Sequence, residues 1–84
     1  MKTKYFIIKH PRGNHSAEQV YFHGLIHFED TCTECKKEFI RMRKFCKNKY
    51  AETSTNDTLR DFISYQMADM FFVKKTKDEQ ITWA

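Results

Sequence analysis

Residues 30–39 read DTCTECKKEF, which sets Cys32 and Cys35 in a C-x-x-C pair with His23 and His27 just upstream. Thiolates and neutral imidazoles are common zinc ligands, and C-x-x-C is one of the spacings that zinc uses. The histidines are the difficulty. Residues four apart on an extended strand stand roughly 13 Å from each other, whereas zinc ligands lie about 2 Å from the ion. A zinc-binding module would need a sharp bend to bring His27 to Cys32 and Cys35, with His10 or His15 as a fourth ligand.

The same pair bears on redox chemistry. Thr31 and Glu34 form T-x-x-E, the pattern of a capping box that opens a helix. A thiol at a helix N-terminus has its pKa lowered by the backbone dipoles, as a redox dithiol requires. CTECK resembles the C-x-x-C-K of the thioredoxin family over those five residues alone. That family sets its motif after the strand of a β-α-β unit, with a later proline facing the dithiol. Here two adjacent strands are expected before the motif, and the sole proline, Pro11, lies upstream.

Helix phase gives the cysteines another role. At 100° per residue, Cys32, Cys35, Phe39, Met42, Cys46 and Tyr50 fall inside an arc of about 80°. Cysteine is among the most buried residue types, so these thiols are expected in the core. An odd count of three argues against a disulfide framework and fits a reducing compartment. A glycine-rich phosphate loop, G-x-S-x-G, H-E-x-x-H and a distinct carboxylate pair are all missing from the sequence. A protein without enzymatic activity or cofactor is expected.

Charge is the second chemical signal. Residues 36–49 carry Lys36, Lys37, Arg41, Arg43, Lys44, Lys47 and Lys49 against Glu38, about +6, so the rest of the +4 chain sums to about −2. Lys37, Arg41, Lys44 and Lys47 fan over one helical arc that includes Ile40, with Lys36 and Arg43 at its edge nearest the apolar stripe. Such a field favours a polyanion or an acidic protein surface. The loop HPRGNH (10–15) adds Arg12, and Tyr21, His23 and His27 are candidate stacking residues for unpaired bases on an outer strand face.

Those residues must be positioned by a few elements. KYFIIK (4–9) predicts a strand, and HPRGNH a turn around Pro11, Gly13 and Asn14. From Gln19 to Phe28, Val20, Phe22, Ile26 and Phe28 alternate with Tyr21, His23, Leu25 and His27, which predicts a second strand and an antiparallel hairpin. The first helix follows from Thr31. ETSTNDT (52–58) is a polar connector whose Asp57 or Thr58 caps a second helix bearing Leu59, Phe62, Ile63, Met67, Met70 and Phe71. The tail from Phe71 predicts a closing strand or a last hairpin turning near Lys77 and Asp78.

Together these give one α+β domain over residues 1–84. It has an N-terminal β-hairpin, two amphipathic helices on one sheet face, and one or two C-terminal strands completing a small antiparallel sheet. Eight Phe, four Tyr and Trp83 supply a core despite the 84-residue length. No apolar run approaches a membrane span, and the N-terminal apolar run is too short for a secretory signal, so a cytoplasmic protein is expected. Exposed aromatics and free strand edges favour a homodimer.

A short, Lys-, Phe-, Tyr- and Met-rich chain with a single proline resembles in composition the small accessory proteins of large tailed phages. The resemblance covers the general character of all 84 residues and transfers no site. It implies a viral protein of the host cytoplasm with an anti-defence role, such as the RNA-binding inhibitors of RNase toxins. Two functions are therefore carried forward. The first is nucleic-acid binding, RNA before DNA, through Arg12, Lys36, Lys37, Arg41, Arg43, Lys44 and Lys47. The second is stoichiometric antagonism of a host enzyme, such as a nuclease or toxin, without nucleic acid.

Overall fold

The computed structural model describes residues 2–53 and 55–84. Met1 and Ser54, the latter within the polar connector expected over 52–58, lie outside the described residues. The chain runs β1 (Lys4–Lys9), α1 (Ala17–His23), β2 (Leu25–Asp30), α2 (Cys32–Glu52), α3 (Leu59–Gln66), β3 (Met70–Lys75) and β4 (Ile81–Trp83). The strands form one antiparallel sheet in the order β2-β1-β3-β4. The α+β class and the small antiparallel sheet are as expected, and the C-terminal strands form the hairpin alternative.

β1 is central, and Phe6, Ile7 and Ile8 are all buried. Successive strand residues face opposite sides, so an unbroken apolar run marks a strand covered on both faces. One face carries Phe6, Ile8 and Val73, packed with Ala17 and Val20 of α1 and with Tyr21, Phe71 and Ile81 around them. The other face carries Tyr5, Ile7 and Phe72 under α2, where Phe39 lies 6.4 Å from Phe72 between ring centres. α1 thus covers the sheet face opposite α2.

The second strand is shorter than its alternation suggested. Gln19–His23 belongs to α1, and only Leu25–Asp30 pairs with β1, so the two strands are joined through a helix rather than a tight hairpin. The cause is local. Ser16 Oγ accepts from the Gln19 amide at 3.2 Å, while Gln19 Oε1 accepts from the Ser16 amide at 2.8 Å. This reciprocal box satisfies two donors that a helix start leaves free. Gly24 ends the helix, its amide donating to the Val20 carbonyl at 2.8 Å. A Cβ there would strike Ile8 Cγ2 and come within 2.5 Å of the Val20 oxygen, so this close approach to β1 needs glycine.

α2 begins as expected, with Thr31 Oγ1 accepting from the Glu34 amide at 3.2 Å. The reciprocal arm differs: Asp30 Oδ1 takes the Thr31 amide at 2.7 Å, and Glu34 is turned to Lys37. Over 21 residues α2 is about 32 Å long. α3 packs on its distal half, where Phe62 meets Tyr50 at 5.4 Å and the Tyr50 hydroxyl donates to the Asp57 carbonyl at 2.8 Å. The expected second helix was too long at its C-terminal end. Met67 caps α3, and Met70 and Phe71 open β3, where backbone pairing with Lys9 and Ile8 replaces helical hydrogen bonds.

Candidate nucleic-acid interface

The cysteine stripe faces inward. Cys35 and Cys46 are buried, Cys32 is half-buried, and Phe39, Met42 and Tyr50 lie on the same inner side. The Cys35 thiol donates to the Asp30 carbonyl at 3.7 Å. Burial pushes that thiol's pKa up, against the lowering influence of the Asp30 hydrogen bond. His27 does not join Cys32 and Cys35, and its Nε2 sits 3.9 Å from Glu38 Oε1. Among the described residues no three of His, Cys, Asp or Glu gather as metal ligands.

α2 divides its cations into two groups. Lys37 Nζ lies 3.4 Å from Glu34, and Arg41 Nη1 donates to Glu38 at 2.7 Å. Each pair is three residues apart, a spacing that places side chains on neighbouring parts of one helix face. Lys36, Arg43, Lys44, Lys47 and Lys49 have no carboxylate within 4.0 Å among the described residues.

The two flanks of α2 open onto clefts of different chemistry. On one side a cavity of about 570 Å³ is bordered by Lys9, His27, Glu38, Arg41 and Asp69 around Met42, Phe45 and Met67. Its charges are matched, with Lys9 also 3.9 Å from Asp69. On the other side a cavity of about 600 Å³ has Tyr5, Phe39 and Phe72 as its apolar lining. Lys36, Arg43 and Lys74 stand around it, no Asp or Glu side chain lines it, and Ala84 borders it as well. Ile40 and Arg43 continue from there into a smaller groove of about 200 Å³ against Ile63 of α3, bordered by Lys44 and Lys47.

The remaining expected residues are dispersed. Arg12 lies over the Tyr65 ring of α3 at 4.2 Å, a cation–π contact apart from the α2 groove. Tyr21 and His23 were expected on a strand and belong to α1. Tyr21 packs edge-on against Phe6 at 5.3 Å, on the sheet face opposite α2. His23 is exposed in the last turn of α1, and His27 faces Glu38 of α2. These three side chains form no common stacking platform.

The aromatic lining of the groove comes instead from Tyr5, Phe39 and Phe72, with Lys74 as an added cation. Alternation along β3 places Phe72 and Lys74 on one face, which was readable locally. Their meeting with Tyr5 and α2 required the sheet register. A cationic border over accessible aromatic rings can hold an anion joined to a flat apolar group. Comparison with protein-family models, curated proteins and solved structures finds no match, so function is inferred from this groove itself.

Proposed function

We propose that this chain is a small non-enzymatic nucleic-acid-binding accessory protein that prefers RNA to DNA and holds phosphates along one flank of α2. A single observation carries the proposal. Lys36, Arg43, Lys44 and Lys47 stand without a carboxylate partner among the described residues, while Glu34 and Glu38 are engaged by Lys37 and Arg41. Four of the five unpaired cations of α2 thereby border the aromatic groove and its continuation. Phosphate binding releases counterions, and clustered unpaired cations are what drives it. RNA is preferred because a concave groove with aromatic lining suits unpaired bases rather than a smooth duplex.

Inhibition of a host nuclease or toxin rests on the compositional resemblance and would add a protein partner to the same chain. Antagonism without nucleic acid has its own support: Phe22, Leu25 and Ile26 are 69%, 75% and 53% exposed, away from the basic groove. A homodimer would use the outer edge of β2, which pairs with no other strand of the described sheet. No helix among the described residues is long and apolar enough to cross a membrane.

Fluorescence anisotropy of a short single-stranded RNA and a DNA duplex, titrated with protein at two salt concentrations, tests the proposal. RNA binding that weakens steeply with salt is expected. No binding of either nucleic acid at low salt refutes it and leaves the protein-antagonist alternative.

A further inference from the structure

Building on RNA binding as proposed above, we infer that the cleft between α2 and β1–β3 is a slot for one unpaired base of single-stranded RNA. The base stacks on the Tyr5–Phe72 aromatic surface, while Lys36, Arg43 and Lys74 hold the phosphates on either side. Phe72 is the middle ring, 5.9 Å from Tyr5 and 6.4 Å from Phe39, and all three rings are half-buried. Each ring therefore packs against its neighbour and still borders the cavity. The volume of about 600 Å³ lies in the range of roughly 300–1,000 Å³ typical of small-ligand sites.

Charge selects the occupant. The cavity on the opposite flank of α2 is nearly as large, at about 570 Å³, but Glu38 and Asp69 line it and would repel a phosphate. The aromatic cleft has three cations on its border and no Asp or Glu side chain, and the backbone end at Ala84 also lines it. Geometry then separates single strands from duplexes. In a duplex the bases are stacked inward and their faces are covered, whereas a splayed base can enter a recess between a helix and a sheet. The next phosphates follow Arg43 past Ile40 to Lys44 and Lys47. From Lys36 to Lys47 the helix advances about 17 Å, enough for several phosphates of one strand.

The test uses the full chain and a labelled oligouridine as probe. Unlabelled oligouridine, an abasic ribose-phosphate strand of equal length and an RNA duplex compete at one salt concentration. The abasic strand is expected to compete about tenfold more weakly than oligouridine, the size of one base–aromatic stack. The duplex is expected to compete no better than the abasic strand. Tyr5→Leu, which removes the ring and keeps apolar bulk, is expected to lower oligouridine affinity about tenfold and leave abasic binding unchanged.

Equal competition by abasic and base-bearing strands overturns the slot while leaving phosphate binding by α2 intact. Failure of every strand to bind at low salt overturns RNA binding itself. Should Tyr5→Leu not fold, the abasic comparison on the native chain decides alone.

Discussion

Neutralising the unpaired cations of α2 gives a quantitative test of how the protein holds a polyanion. The perturbation is Arg43→Gln, Lys44→Gln and Lys47→Gln together, three exposed side chains without carboxylate partners among the described residues. With Lys36 and Lys74 the groove offers five phosphate contacts. For a single strand, each contact contributes about −0.7 to the slope of log K against log salt, so five predict about −3.5. Raising salt from about 50 to about 200 mM should then weaken the parent roughly a hundredfold and the variant, with a slope near −1.4, only about sevenfold.

The control is Lys37→Gln with Arg41→Gln, which removes cations already engaged by Glu34 and Glu38. Its slope should stay close to the parent's. The assay is anisotropy of labelled single-stranded RNA over at least four salt concentrations, with thermal melts to confirm that both variants fold. Substitutions at such exposed sites ordinarily change stability by about 0.5 kcal/mol or less. An unchanged slope in the triple variant, or an equal loss in the control, would refute the division of α2 into a binding flank and a paired flank.

Two further predictions concern the scaffold. Gly24→Ala should lower stability by about 1–3 kcal/mol in urea unfolding, because the new methyl meets Ile8 and the Val20 and Lys9 carbonyls. Ser16→Ala should cost about 1 kcal/mol by removing the α1 cap, and parent-like stability in both would show the α1–β2 junction to be wrongly placed. At neutral pH a thiol reagent should label half-buried Cys32 first and reach Cys35 only on unfolding. Because burial raises the Cys35 pKa, the folded state keeps its proton longer than the unfolded chain does. That stability is fully present below the unfolded thiol pKa, about 8.5, and is lost as pH rises through the folded value. Cys35→Ala should therefore flatten the alkaline loss, and an identical alkaline profile would contradict the burial.

Much of this protein is written locally. Thr31 and the Cys32–Tyr50 stripe are sufficient to place α2 and orient its core side, because a cap and a period of 3.6 are properties of consecutive residues. The strand at Lys4–Lys9 was legible for the same reason, whereas the tail was left open between one strand and the hairpin that β3 and β4 form. The helix α1 was not read from the sequence, where the alternation of Val20, Phe22, Ile26 and Phe28 pointed to a strand and the Ser16–Gln19 cap emerged only in the structure. A seven-residue helix is too short for its own periodicity to prevail.

Tertiary structure decided the rest. The pairs Glu34–Lys37 and Glu38–Arg41 are local, yet their consequence, one flank of α2 left with unmatched cations, depends on which flank borders the sheet. Tyr5, Phe39 and Phe72 are more than thirty residues apart in sequence, and only the β1–β3 register under α2 makes them one surface. Sheet pairing brings distant residues together through backbone hydrogen bonds whose partners no local pattern names. A sequence therefore shows which faces are apolar or charged before it shows which of them meet.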